Sequence, residues 1–227
     1  PLEDRRRVFL MVGTTEMEGE VRLFESTELK AGESGIAFIR PDQPMLTHAG
    51  DHFILRLPTP MVTLGGGKVL DHLLRFPRRR ELADFAYLND RYGDDLEKWI
   101  ISDLTNLLFV AEDAILHYAE FDSCEIKARS GALIEQGIVH RFRDLLCVPH
   151  AVVAVGKVIV NRLERLVQEQ PHLKGLGVDI LAGEISRSPV VTAVLLEYLA
   201  SIGTLTRNGD LYAIAGKETA LKGVIKE

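Results

Sequence analysis

The apolar residues of this chain change period once, and the change falls at a run of three glycines, Gly65, Gly66 and Gly67. Ahead of that run, Val8 to Val12, Glu20 to Phe24, Gly35 to Ile39, His52 to Leu57 and Met61 to Leu70 are short apolar or alternating stretches. Gly, Pro, Asp and Asn-type breakers part them about every ten residues. Val21, Leu23, Phe53, Leu55 and Leu57 hold a period of two that turns one face inward, while Glu20, Arg22 and Arg56 fall on the other. Such spacing predicts an all-β barrel or sandwich over residues 1–70.

Past the glycines the pattern is mixed and basic over 71–93, with Arg75, Arg78, Arg79 and Arg80 around Pro77, and then becomes helical. The periodicity predicts helices over Asp94–Leu107, Ala111 to about Phe121 and Ser123–Gln136, the last stopped by Gly137, and then extended runs at Ile138–Phe142 and Leu145–Val148. The order recurs as helices over Ala151–Gln170, Val178–Ile185 and Pro189–Ile202 followed by a hairpin, an internal repeat of about 60 residues in architecture. Strands giving way to helices within one chain argue for separate domains. The expected layout is multidomain: a β domain at 1–70, a linker at 71–93, and two α+β units at 94–149 and 150–227.

The second unit carries the clearer punctuation. Ser188 is placed as an N-cap with Pro189 at the first helical position, Val190, Val191, Val194, Leu195 and Leu199 share a face, and Gly203 is placed to end the helix. Leu205 to Thr206 and Leu211 to Ile214 flank Arg207, Asn208, Gly209 and Asp210, where Asn-Gly is the strongest short hairpin signal, and Thr206, Arg207 and Asn208 are the candidate residues of this wing. Three helices and a two-stranded wing predict a winged helix-turn-helix, with a weaker copy around Arg143 and Asp144 in the first unit.

Catalytic chemistry is hard to place on these residues. A phosphate loop needs GxxxxGK followed by Ser or Thr; Gly67-Lys68 has Val62 and Val69 where Gly and a hydroxyl residue belong, and Gly216-Lys217 has Leu211 and Glu218. The seven histidines are scattered singly, and Cys124 and Cys147 have no partner at zinc-ligand spacing, which argues against a metal site or disulfide framework and for a cytosolic setting. No run reaches the roughly 18 apolar residues of a membrane span, and no signal peptide is legible. Pro1 opens directly into a charged, strand-like run, as in a piece of a larger protein.

Charge narrows the binding classes. The net charge of −6 is concentrated in residues 94–150, with 5 basic and 11 acidic side chains, against 8 and 10 in residues 1–70, 5 and 4 in 71–93, and 9 and 8 in 151–227. Nucleic acid is held largely through phosphate contacts by Lys and Arg, so the first winged helix reads as a spacer or protein-contacting module. Arg75, Arg78, Arg79 and Arg80 are candidate phosphate contacts or a solvated linker. Glycine inside a strand marks a bulge or a close backbone approach, and both readings stand for Gly65 to Gly67.

Several stretches together resemble one family. They are Arg7-Val8-Phe9-Leu10-Met11-Val12-Gly13-Thr14-Thr15-Glu16, Leu29 to Gly35, Pro41 to Pro44, Gly50-Asp51-His52-Phe53-Ile54-Leu55-Arg56, and Thr63-Leu64-Gly65-Gly66-Gly67-Lys68-Val69-Leu70-Asp71. In order and spacing residues 1–71 resemble the third, elongation factor Tu-like, barrel domain of bacterial selenocysteine-specific translation elongation factors, with its opening strand missing. The resemblance implies a non-catalytic fragment covering that barrel and two winged helices of the arm that follows. The GTPase domain, with its GTP and magnesium, and the second barrel would lie outside it. The implied partners are selenocysteinyl-tRNA, the ribosome and, only through further C-terminal winged helices, the selenocysteine insertion hairpin of the mRNA; the implied setting is the cytoplasm, with no membrane.

By resemblance the last barrel strand faces the tRNA, which points to Thr63, Gly65, Gly66 and Gly67 with Lys68 adjoining. Replacing Gly66 by leucine is then expected to block RNA approach while leaving the fold intact, whereas Glu16 to Glu20 is more acidic than a tRNA-facing strand prefers. The alternative from another class is a winged-helix transcription regulator with an effector-binding β domain. Against it, Pro189 to Ala193 offers Val190, Val191 and Thr192 where base-reading donors are expected.

Overall fold

The computed structural model describes residues 1–72, 86–117, 119, 121–170 and 175–215. Contacts divide the chain into two compact units, Pro1–Ser102 with Leu116–Asp122, and Asp103–Ile115 with Ser123–Glu227.

In the first unit the alternating stretches form a five-stranded antiparallel sheet from β2 (Arg7–Val12), β3 (Thr15–Leu23), β5 (Ala37–Pro41), β6 (His52–Arg56) and β7 (Thr63–Lys68), in the order β5-β3-β2-β6-β7. A two-residue ribbon, β1 (Leu2–Glu3) with β4 (Glu28–Leu29), stands beside it. The sheet is an open half-barrel, with β5 and β7 as its edges. Val8, Leu10, Val12, Val21, Leu23 and Leu55 are buried on its inner face, with Leu2, Leu29, Ala37, Ile39, Met45, Phe53 and Leu64 packed around them. Full burial of one such side chain contributes about 1.5–3 kcal/mol, so the period of two is what drives this face inward. Phe38 projects from the opposite face and is buried with Tyr87 and Leu88 of a 3-10 turn at 86–91.

Two winged-helix element sets follow. The first runs α1 (Leu96–Leu107), β8 (Val110–Ala111), α2 (Ser123–Glu135), β9 (His140–Phe142) and β10 (Leu145–Cys147), with sheet order β8-β10-β9. The second runs α3 (Pro149–Glu169), β11 (Leu176–Gly177), α4 (Val178–Glu184), α5 (Pro189–Ser201), β12 (Leu205–Asn208) and β13 (Leu211–Ile214), with sheet order β11-β13-β12. The identical sheet orders bear out the repeat. The Ser188 side chain accepts from the Val191 N–H at 3.3 Å, and Gly137 and Gly203, both at φ 74°, end α2 and α5. No helix among the described residues is long and apolar enough to cross a membrane.

Two expectations are corrected. The helix expected from Ala111 to about Phe121 is instead β8 with a 3-10 turn at Glu112–Ala114, after which Leu116 takes a φ of +52°. Ile115 and Leu116 are both buried, one in each unit, and that division overrides helix propensity. The second wing turns one residue later than the Asn-Gly signal implies. Asn208 pairs with Leu211, so the loop is Gly209-Asp210 with Gly209 at φ 66°, the geometry of a hairpin with glycine first. In the first wing Phe142 pairs with Leu145, and Arg143 fills the same left-handed position at φ 56°.

The two thiols differ in access. Cys147 on β10 is buried, and burial pushes its thiol up to about 11, whereas Cys124 on α2 is exposed. Because the raised value belongs to the folded state, this neutral thiol's contribution to stability is present below the ordinary thiol range and is lost as pH rises through about 11. At neutral pH a disulfide reagent is expected to titrate Cys124 at once and Cys147 only on unfolding; equal rates in the native chain would contradict the burial.

Candidate functional site

Strand β7 carries the residues singled out by sequence, and its neighbour β6 decides what each can do. The register pairs His52 with Lys68, Phe53 with Gly67, Ile54 with Gly66, Leu55 with Gly65 and Arg56 with Thr63, with a bulge at Leu55/Arg56. Leu64, the extra residue in that bulge, packs on the core.

The three glycines then separate. A Cβ on Gly66 would lie 2.6 Å from the Phe53 carbonyl oxygen, and one on Gly67 would lie 2.6 Å from Cζ of the Phe53 ring. A Cβ on Gly65 would meet nothing within 4 Å. The bulge-and-packing reading therefore accounts for Gly66 and Gly67, and open approach is left to Gly65 and the exposed Thr63. This corrects the Gly66→Leu expectation: the clash lies inside the sheet, so that variant would disturb the fold. Phe53, the cause of two of the glycines, reads in sequence only as one alternating core residue.

Lys68 is already engaged. Its ammonium pairs with Asp94, whose carboxyl that bond holds below the usual range, and stands 5.7 Å from the centre of the Trp99 ring. Just beyond β7 lies a cluster that sequence reasoning missed. The fully buried Arg91 donates from Nη1 to Asp71 Oδ2 at 2.8 Å and to the Leu70 carbonyl at 3.2 Å, and from Nε to Ser102 Oγ at 2.9 Å. Tyr87 Oη donates to the same Asp71 oxygen at 2.9 Å, and Ser102 Oγ donates to the Tyr87 carbonyl at 2.9 Å. The guanidinium lies 5.0 Å from the Tyr87 ring centre and 5.6 Å from that of Trp99. This cluster anchors the end of β7; an arginine in a polar segment carries no sequence signal that it will be buried.

In the acidic run Glu16 to Glu20, the side chains of Glu16, Glu18 and Glu20 line the outer face of β3. There Arg7 bridges Glu18 at 2.9 Å and Asp42 at 2.7 and 2.5 Å, which holds the Asp42 carboxyl below its ordinary range, and Arg40 pairs with Glu20 at 2.8 Å. These pairs are exposed and contribute little to stability. The basic candidates Arg75, Arg78, Arg79 and Arg80 lie outside the described residues. Thr206, Arg207 and Asn208 are exposed on the second wing, in the other unit from β7. Arg207 donates from Nε to the Gly209 carbonyl at 2.9 Å, which folds its guanidinium back over its own turn.

An antiparallel half-barrel ending in a glycine edge strand, followed by tandem winged-helix element sets, defines a modular class of protein that carries a β half-barrel and winged-helix modules on one chain. Residues 1–74 match the family model of the selenocysteine-specific elongation factor, beta-barrel domain, and the half-barrel belongs to that domain family, as the sequence resemblance implied. The chain is 26% identical over 98 residues to the selenocysteine-specific elongation factor of Desulfomicrobium baculatum, a match over 42% of this chain and 16% of that relative's length. Among solved structures it is similar to the mRNA-binding domain of elongation factor SelB from E. coli in complex with SECIS RNA, at a TM-score of 0.38 and 15% identity, covering 54% of this chain and 99% of that one. It is also similar to a bacterial selenocysteine-specific elongation factor EF-Sec, at a TM-score of 0.35 and 11% identity, covering 94% of this chain and 52% of that one.

Proposed function

We propose that this chain serves a selenocysteine-specific elongation factor in the cytoplasm as a non-catalytic platform and arm. The half-barrel presents β7 to selenocysteinyl-tRNA, and the winged-helix element sets extend toward the ribosome and the mRNA selenocysteine insertion hairpin. GTP and magnesium belong, in this reading, to a nucleotide-binding domain of the whole factor. The observation that carries it is the match of residues 1–74 to the barrel family, on which Gly65, alone of the three glycines of β7 in having open space before it, lies in an exposed edge strand. A backbone without a side chain there admits a ribose-phosphate chain, whose contacts position rather than specify.

The test uses the chain joined to the remaining domains of such a factor. Gly65→Val is expected to weaken selenocysteinyl-tRNA binding by about 1–2 kcal/mol, the scale of a lost polar contact, with the unfolding midpoint held. Arg207→Ala, on the second wing, is expected to leave affinity within about 0.5 kcal/mol. Should Arg207→Ala prove the more damaging, the tRNA face does not lie on the half-barrel.

A further inference from the structure

In winged helices that read nucleic acid, the helix ahead of the wing enters a groove and the wing reaches the backbone. Here two of those elements face each other within the second unit. The Phe142 ring, at the end of β9, meets Tyr198 of α5 edge-on, with centroids 5.2 Å apart and an interplanar angle of 82°. Phe109, just ahead of β8, completes the group at 5.9 Å from Tyr198 and 6.2 Å from Phe142. Tyr198 is buried, as is Cys147 on the neighbouring wing strand. At the rim Arg143, held in the left-handed conformation at the turn of the first wing, places Nη1 2.7 Å from Glu197 Oε2. The other oxygen of Glu197 stands 3.9 Å from Arg207 of the second wing.

We propose that the first wing is a docking element whose partner is α5 of the following module, with the Phe109–Phe142–Tyr198 cluster as the seat and Glu197 as the anchor between the two wing arginines. An aromatic seat covered by a rim ion pair is the pattern of a fixed protein–protein contact, and each aromatic pair contributes about 0.5–1.5 kcal/mol beyond its buried area. Adjacent residues of α5, Glu197 and Tyr198, supply the anchor and the seat, so a small rotation of the helix breaks both. The turn arginine that would meet a phosphate in a nucleic-acid wing is spent on a carboxylate. Two modules joined this way move as one body, and the C-terminal half of α5 is closed to a groove. Val190, at the other end of α5 and 75% exposed, lies outside the joint.

The test labels the full chain with spin probes at the exposed Cys124 on α2 and at Lys157→Cys, an exposed position on α3. Pulsed electron resonance then reads the distance distribution between them. The unaltered joint is expected to give one narrow distribution, which broadens in Phe142→Ala with Glu197→Ala while helical circular dichroism is retained. If that double variant loses its dichroism, Arg143→Ala, which changes an exposed side chain, takes its place with the same expectation. A broad distribution in the unaltered joint, or a narrow one that survives in the folded variant, would overturn the proposal. A double-mutant cycle of Arg143→Ala and Glu197→Ala, read on unfolding, is expected to be non-additive, and strict additivity would remove Glu197 as the anchor.

Discussion

Replacing Arg91 by methionine is expected to destabilise the first unit by about 3–5 kcal/mol, the cost of leaving one member of a buried ion pair without its partner. The guanidinium is fully buried and Asp71 is only 10% exposed, so water cannot take over the lost bonds. Methionine would also remove the hydrogen bonds that Arg91 donates to Ser102 Oγ and to the Leu70 carbonyl. Against a usual total of about 5–15 kcal/mol this is a large fraction. Trp99, the one tryptophan of the sequence, lies against Arg91 and reports the change by fluorescence during urea unfolding. Asp71→Asn is expected to cost less, since Tyr87 and Arg91 keep an oxygen to donate to. An Arg91→Met midpoint indistinguishable from that of the parent chain would mean that the cluster does not hold the strand end.

The glycine run should give a graded series, Gly66→Ala costing most, Gly67→Ala less and Gly65→Ala least. The new methyl at position 66 collides with a backbone oxygen that the β6–β7 ladder holds in place, so relief requires the strands to part. At position 67 the obstacle is the Phe53 ring, which can turn away at some loss of packing. Overpacking of this kind typically costs about 1–3 kcal/mol, and the Gly66 variant belongs at the upper end. Thermal unfolding of the three variants is the measurement, and a Gly65→Ala midpoint falling below that of Gly66→Ala would reverse the assignment of open and closed positions.

The strands β2, β3, β5 and β6 and the outer helices of the repeat were legible because each turns one face to a core, and a period of two or 3.6 survives in sequence, whereas β7 was marked by its glycine run and its place after them. The two-residue strands β1, β4, β8 and β11 were not, since a pair of residues has no period; β8 and β11 exist because a longer wing strand offers hydrogen bonds, and β1 and β4 because they pair with each other. The wing hairpin was legible, and its register was not: Asn-Gly and Gly-Asp both satisfy a two-residue turn, and the pairing of Leu205 with Ile214 and Arg207 with Tyr212 chose the second. At the candidate site the sequence marked the glycine strand. It could not distinguish the glycine that faces open space from the two that face Phe53, because that depends on the residue across the ladder.

The shortening of the expected middle helix of the first winged-helix set to the 3-10 turn Glu112–Ala114 has a consequence for dissection of the chain. Leu116–Asp122, which takes in the rest of that expected helix, belongs to the first unit, where Ala119 bridges Ala49 and the Phe121 ring meets Trp99 edge-on at 5.3 Å. The polypeptide therefore passes from one unit to the other three times, after Ser102, Ile115 and Asp122. No single scission divides it into two complete halves. A truncation that begins at Asp103 carries Leu116–Asp122 away from the residues they pack against, and one that ends at Ser102 leaves those residues uncovered, so intact dissection calls for rewiring of the connections rather than a cut.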